Sequence, residues 1–355
     1  MSELSLYLPE DRSGILPLAY FHALARLGLD GLVLIEPADT FVSVGYFDDT
    51  ASVLDLDRCR DLGLPVARRE VGGGPVLLGP GQVFYHLILP RDHPALPARL
   101  EDVYQAFSEP VLRVYRRFGV EATFRPVNDL VAADGRKITG QGAADIGERF
   151  CFVGAVLRHF DSRLMAQVLR VPDEKLRGRL HATLEGNISS IAAATGTTPS
   201  SAEVIAALAT ELAETLGPLT RCELPAEARD LSSRLALELQ DPTTLFAPRT
   251  RQHAEVKIRE GVVVRHGLHK APGGLLRTSV TVAEGVIVDV ELSGDLTCVP
   301  KAGFATLARA LVGCPFDAAS VLQVLEPLLA RSGLQCPGVS PADLAQAVTR
   351  GAGPA

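Results

Sequence analysis

Two short segments carry residue types able to do chemistry. The first is Arg68-Arg69-Glu70-Val71-Gly72-Gly73-Gly74-Pro75-Val76. Three successive glycines admit backbone geometries closed to other residues and let a ligand approach the main chain. Exposed N–H groups in such a turn can cradle an anion. An adjacent arginine can pair with a phosphate through two parallel bonds. The same glycines also suit a plain turn between strands, with the arginines solvated. The second segment is Asn128-Asp129-Leu130-Val131, followed by Gly135-Arg136-Lys137-Ile138-Thr139-Gly140-Gln141-Gly142. Lys137 alternates with apolar residues on a predicted strand. A lysine facing a core or cleft there is costly unless an anion neutralises it. Asp129 could hold a divalent cation or pair with Lys137. The alternative is a surface hairpin with an ordinary exposed lysine.

The surrounding elements must position these segments. Apolar residues repeat at helical spacing over 14–28 and stop at a glycine, which predicts a helix. Residues 40–46 and 82–89 are rich in β-formers and predict strands. A helix is expected over 97–118, kinked or divided by Pro110. Residues 122–158 predict short strands joined by tight turns, with a hairpin at Asp134-Gly135. Ser200 to Glu203 matches a capping box opening a helix that runs to Gly217-Pro218. Composition changes near 240–252. Beyond it come hairpin strands with a Glu284-Gly285 turn, helices over 301–312 and 318–331, and a shorter helix opened by Ser340-Pro341. The chain therefore reads as α+β, with a large domain at 1–243, a linker at 244–251 and a smaller domain at 252–355.

Composition narrows the function classes. The 355 residues exceed what one compact core holds. The chain is 47% hydrophobic and 22% charged, as soluble globular proteins are. A net charge of -7 argues against a nucleic-acid partner, because phosphate binding wants a basic face. No apolar run reaches the ~18–20 residues of a membrane span, and the start MSELSLYLPEDRSG lacks a basic segment followed by an apolar one. A cytoplasmic protein without a membrane partner is expected. The six cysteines form no CxxC pair and no zinc-finger spacing, so they read as reduced, mostly buried thiols. His266 and His269 lie close together but lack a third ligand. HExxH, GxSxG and Walker GxxxxGKS are all absent, which removes several common enzyme classes.

Taken together, RR-x-x-GGG-x-V, then ND-x-x, then GRK-[IV]-x-G resembles the lipoate–protein ligase family, over nearly the whole chain. The segment VGYFDD occupies the place of the family's VG-x-x-Q, and Leu184-Glu185-Gly186-Asn187-Ile188 that of a Val-x-Asn-Leu-like segment. SVTVAEGVIVDVELSGDL is similar to the central hairpin of the family's C-terminal accessory domain. The resemblance implies a mixed or antiparallel sheet with flanking helices, as in biotin ligases and class II aminoacyl-tRNA synthetases, plus a small α+β accessory domain. It implies an ATP-dependent, AMP-forming enzyme that uses Mg²⁺, makes lipoyl-AMP from lipoate or octanoate, and transfers the acyl group to a lysine of a carrier protein. That acceptor would be a lipoyl domain, a glycine-cleavage H protein or an H-protein-like lipoate carrier of sulfur metabolism. The enzyme itself is expected to be a monomer.

Residue by residue, the resemblance makes Lys137 the contact to the reacting carboxylate and the α-phosphate. Gly72, Gly73, Gly74, Pro75 and Val76 would form the adenylate loop. Arg69 would meet the phosphate or carboxylate, with Gly45 also at the lipoate. Gln82 stands near the adenine, Asn128 and Asp129 would hold nucleotide and Mg²⁺, and Gly140, Gln141 and Gly142 would line the acyl-adenylate pocket. The chain departs from the family at Val71 (usually Ser), Pro75 (usually Ala), Leu78-Gly79 (usually His-Asp) and Asp48 (usually Gln), and a histidine pair is missing near Phe152-Val153-Gly154. Two other readings stay open: an ATP-independent lipoyl or octanoyl transferase, and a non-catalytic lipoate- or nucleotide-binding protein. A cysteine-dependent transferase would hold the acyl group on a thiol. The segment before GRK, RPVNDLVAADG, has no cysteine, and Cys151 in FCFVGAVL reads as an inert core thiol.

Overall fold

The computed structural model describes residues 3–170, 174–247, 256–259, 262–331 and 333–349. Residues 248–251 of the expected linker lie outside that set. The chain forms two compact units. The first comprises Met1–Val44, Thr50–Glu70 and Pro75–Phe246; the second comprises Gly45–Asp49, Val71–Gly74 and Ala247–Ala355.

The strands of the first unit are β1 (Leu4–Tyr7), β2 (Gly31–Ile35), β3 (Phe41–Val44), β4 (Val66–Arg68), β5 (Val76–Leu78), β6 (Gln82–Pro90), β7 (Ala122–Arg125), β8 (Asp129–Ala132), β9 (Lys137–Ile146), β10 (Arg149–Leu157) and β11 (Leu219–Cys222). Among the described residues, eight of them form one mixed sheet in the order β11-β1-β2-β6-β10-β9-β8-β7. A smaller sheet has the order β4-β3-β5. GLVLI and VFYHLIL are near-continuous apolar runs because β2 and β6 lie inside the large sheet, buried on both faces. The helix Leu16–Arg26 arises where expected and buries most of its length. The helix Leu100–Arg117 is not divided at Pro110. Phe107, Val111 and Tyr115 recur on its buried face and hold the turns on either side against the core. Tyr104 and Phe107 meet the Phe152 ring at 5.7 and 5.3 Å.

The expectation of short strands over 122–158 holds for β7 and β8 but not beyond. β9 and β10 run for ten and nine residues. They pair antiparallel across a turn in which Gly147 takes φ +58°. The Asp134-Gly135 hairpin forms, with Gly135 at φ +81° and the Arg136 N–H donating to the Asp134 side chain. The capping box on Ser200 and Glu203 is present and opens the helix Ser201–Leu216.

His86 sits in the middle of β6, buried against Phe21 and Phe84 with no hydrogen-bond partner on Nδ1. Burial, and secondarily the neighbouring His22, push its pKa down to about 3 from 6.5. Between those values the unfolded chain binds a proton that the native ring refuses. Stability contributed by the neutral ring is therefore present above pH 6.5 and lost as pH falls toward 3, at up to ~1.4 kcal/mol per pH unit. His86→Phe removes this dependence. Denaturant unfolding of both proteins across that window should show the variant with the shallower loss. Equal slopes would assign the acid sensitivity elsewhere.

In the second unit, β12 (Val256–Arg259), β13 (Val262–Ala271), β14 (Gly274–Ala283) and β15 (Val286–Gly294) form an antiparallel meander. The β14–β15 turn places Glu284 and Gly285 at φ 49° and 76°, the paired positive values of a tight hairpin. The helices Gly303–Leu311, Ala318–Arg331 and Pro341–Thr349 supply Leu307, Val321 and Leu344 to a core shared with Leu276, Val280 and Ile287. Phe47 is buried in that same core. No helix among the described residues is long and apolar enough to cross a membrane.

Candidate active site

Lys137 begins β9, and its Nζ lies 2.7 Å from Asp129 Oδ1 on β8. The second Asp129 oxygen accepts from Arg125 at 3.1 Å. Of the two sequence-level roles for Asp129, the structure shows the ion pair. Gly140 stands opposite Asp129 in the strand register, and the lysine stem lies over it. A Cβ at Gly140 would come within 2.8 Å of Lys137 Nζ. The lysine is not buried, as alternation with apolar residues had suggested; its side chain is 39% exposed. A register shift between Leu130 and Val131 accounts for this, because it breaks the strict alternation at the strand end.

Lys137 also sits where the large sheet opens. β9 pairs with β10 from Ile146–Arg149 to Gln141–Gly154, and the ladder then stops. Beyond that point hydroxyl groups bridge the two strands. Thr139 Oγ1 donates to the Ala155 carbonyl at 2.7 Å, and Tyr115 donates to the Ile138 carbonyl at 2.7 Å while accepting from the Leu157 N–H at 2.9 Å. Burial raises the Tyr115 phenol well above its ordinary range, so it stays neutral in this role. On its other side, Lys137 meets the segment singled out as Leu184–Ile188. The Ser189 N–H donates to the Lys137 carbonyl at 2.7 Å, and Ile188 bridges to it in parallel. The lysine thus projects from a strand end freed of one ladder and braced by neighbours.

The flanking candidates are engaged with protein. Gln141 is buried, accepting from Ser108 at 2.7 Å and donating to Tyr85 at 3.0 Å. Asn128 donates to the Gln141 carbonyl at 2.5 Å, so its amide fixes the β8–β9 register. Gly142 pairs with Val153 inside the ladder. The Gln82 amide donates to the Leu77 carbonyl at 3.0 Å. Arg68 and Arg69 are both buried rather than solvated. Arg68 donates to Thr244, Thr50 and Leu245, while Arg69 reaches the Ser43 carbonyl at 3.1 Å. The network of Tyr115, Tyr85 and Ser108 had no sequence signal, because its members come from a helix and a strand far apart in the chain.

The glycine loop belongs to the second unit, as does Gly45. A Cβ at Gly45 would collide with the Gly73 carbonyl, and the Tyr46 N–H donates to the Val71 carbonyl at 3.0 Å. The two motifs VGYFDD and GGG are therefore laid backbone to backbone. Within the loop the glycines differ. A Cβ at Gly72 would strike the Leu296 carbonyl, and Gly73 takes φ +96°. A Cβ at Gly74 would have Asp295 at 3.9 Å as its nearest neighbour, so this glycine has more room than Gly72, next to Pro75 and Val76 at the start of β5. The departures from the family pattern have local reasons. Val71 is fully buried, where a serine hydroxyl would need a partner. Asp48 is buried beside Arg277, with Oδ1 3.6 Å from the guanidinium.

Among the described residues no group of three His, Cys, Asp or Glu could hold a metal ion. Asp129 as a single carboxylate suits a Mg²⁺ carried in by nucleotide phosphates, since that ion keeps waters and takes one or two protein carboxylates. Cys151 and Cys222 lie away from Lys137. Cys151 pairs with Ala144, seven residues along β9, or about 23 Å at strand rise. Cys222 is on the opposite edge strand, and Cys59 is buried with its thiol pushed up to about 11 by burial and by Asp55.

A mixed sheet with flanking helices thus carries a lysine–carboxylate pair at an opened strand end. Residues 20–213 match the model of the lipoyl protein ligase A/B catalytic domain, and the chain belongs to that family. Residues 266–347 match the bacterial lipoate protein ligase C-terminus, so the accessory domain is present. The octanoyltransferase LipM of Kyrpidia tusciae is 28% identical over 218 residues, 55% of this chain and 78% of that protein. Lipoate-protein ligase A subunit 1 of Thermoplasma acidophilum is 26% identical over 162 residues, 43% of this chain and 60% of that protein. The fold matches the bi-partite lipoate protein ligase of T. acidophilum at TM-score 0.63 and 24% identity, over 72% of this chain and all of that one. It matches P. falciparum LipL1, solved with lipoate, at TM-score 0.65 and 14% identity, over 91% of this chain and 94% of that one.

Proposed function

We propose that this chain is an ATP-dependent lipoate–protein ligase. The observation that carries the reading is the Lys137–Asp129 pair at the opened end of β9, with Cys151 paired seven residues along that strand and Cys222 on the opposite edge strand. A carboxylate does not acylate an amine at neutral pH, but an acyl-adenylate does. Lys137 holds the carboxylate oxygen against the α-phosphorus of ATP and neutralises charge that spreads in the transition state. Asp129 aims the ammonium. Asp129 would hold a Mg²⁺ brought in with the nucleotide, and that ion would supply Lewis-acid stabilisation of the phosphates. Gly74 and its neighbours take the nucleotide, and Arg69 the phosphate or carboxylate. Val76, Pro75, Gln82, Asn128 and Gly140–Gly142 shape the adenylate pocket. In the second half-reaction the acceptor lysine attacks the same carbonyl, and Lys137 stabilises the oxyanion and the departing AMP. The match to a ligase C-terminus supports this reading. The acceptor is a lipoyl-carrier protein: a lipoyl domain, like the E2 lipoyl domain of the T. acidophilum lipoylation system, a glycine-cleavage H protein, or an H-protein-like sulfur-metabolism carrier.

The octanoyltransferase names among the relatives favour a second reading, transfer from an acylated donor without ATP. Purified protein with lipoate, Mg²⁺ and ATP labelled at the α-phosphate separates the two. The ligase releases labelled AMP and pyrophosphate and adds a lipoyl mass to an acceptor. Acceptor acylation only from an acyl-carrier thioester, with no AMP formed, replaces the first reading with the second.

Gly140 tests how the lysine is held. An added Cβ meets the far end of a flexible side chain, so Gly140→Ala folds but shifts the ammonium from its position. Transfer should fall roughly 10-fold, given the sensitivity of such reactions to small misplacements. An unchanged rate with Lys137 still on Asp129 in the variant's crystal structure would show that the slot is roomier than the geometry allows.

A further inference from the structure

Cys298 and Cys336 are separated by 38 positions, and neither lies in a motif. In the fold they face each other. The Cys336 thiol is directed at Cys298 Sγ with the sulfurs 2.7 Å apart. The backbone explains the approach. Val299 and Gln335 exchange two hydrogen bonds, N–H to carbonyl in each direction, at 2.9 and 2.8 Å. They form an antiparallel bridge. Cys298 and Cys336 are the next pair on that bridge, a non-hydrogen-bonded site where opposed Cα atoms come within about 4.5 Å. That spacing falls inside the range a disulfide spans, roughly 4.4–6.8 Å.

The two sulfurs differ in access. Cys298 is buried at 2% exposure, whereas Cys336 is half-buried. Burial, and then the Cys336 thiol, hold Cys298 well above the usual thiol range. Cys336 is therefore the sulfur that meets a reagent from solution, and Cys298 the one that resolves. The surroundings give the pair a consequence. Leu296, two residues before Cys298, supplies the carbonyl on which Gly72 rests. Pro337 and Gly338, just after Cys336, are packed on Gly273, and the Gly273 N–H donates to the Gly338 carbonyl at 2.7 Å.

We propose that Cys298 and Cys336 are a redox-modification site, closing to a reversible disulfide that staples the seat of the Gly72 loop to the 335–338 turn. The oxidant is a small-molecule disulfide of the glutathione class. Cys336 thiolate attacks one of its sulfurs and expels one small thiolate, leaving a mixed disulfide. Cys298 gives up its proton and attacks Cys336 Sγ, forming the protein S–S bond and expelling the second small thiolate. Two protein thiols lose two electrons and two protons; the small disulfide gains them as two thiols.

The test uses the full chain, first reduced and freed of reductant, then held in mixtures of reduced and oxidised glutathione, acid-quenched and alkylated. Intact mass and peptide mapping are read. The expected product is lighter by two hydrogens, carries the Cys298 peptide joined to the Cys336 peptide, and reverts with dithiothreitol. Cys298→Ser should stop at a single glutathione adduct on Cys336, and Cys336→Ser should leave Cys298 unreacted. Amide exchange over 296–299 and 335–338 should slow in the oxidised protein. A wild-type protein that retains glutathione, joins another pair of cysteines or gains no crosslink at oxidising ratios overturns the proposal. Unchanged exchange after crosslinking overturns the stapling role.

Discussion

Lys137→Ala lowers acyl transfer by about 100-fold or more and leaves the fold intact. The kinetic size follows from removing a charge contact that strengthens as the reaction proceeds, which commonly costs that much in rate. The fold survives because the side chain is partly solvated, so truncation opens no cavity, and Asp129 keeps Arg125 as a partner. The backbone part of the site also persists, since the Ser189 bond is to the Lys137 carbonyl. Both half-reactions should suffer, because one ammonium serves the attack on phosphorus and the later oxyanion. Single-turnover measurements of AMP formation and of acceptor acylation, with circular dichroism as the control for folding, read this directly. Normal rates in a folded variant would remove Lys137 from the chemistry and with it the ligase assignment.

Glu36→Leu destabilises the first unit by ~3–5 kcal/mol, a large share of the stability of a typical domain. Buried Glu36 and part-buried Arg158 form an ion pair, with one guanidinium nitrogen 2.6 and 2.7 Å from the two carboxylate oxygens. Glu36 also accepts the Gly81 N–H, and Arg158 donates to the Pro199 carbonyl just before the capping box. One pair therefore ties the ends of β2 and β10 and the start of β6 to the helix Ser201–Leu216. Removing the carboxylate strands a part-buried guanidinium and the Gly81 backbone donor, which accounts for most of the cost. The double variant Glu36→Leu with Arg158→Leu should cost less than the sum of the two single changes. Urea midpoints for the four proteins give the coupling. Strict additivity would mean that solvent reaches the pair and carries its charge.

Much of the local structure is written in the sequence by itself. Hydrophobic periodicity set the helices at Leu16–Arg26 and Ala318–Arg331, and turn chemistry set the hairpins at Gly135 and Gly285. These signals are local: a capping hydroxyl or a positive-φ glycine acts within a few residues. The motif residues also named the family, because glycines and a lysine at fixed spacing survive as a pattern without coordinates. What the sequence could not decide is which polar groups share an environment. That Pro110 leaves its helix whole depends on what Phe107 and Tyr115 pack against. That Gly72 rests on Leu296 and Asp48 on Arg277, and that Cys298 faces Cys336, all join residues distant in the chain. Such meetings are set by strand register and burial, long-range properties that only tertiary packing determines.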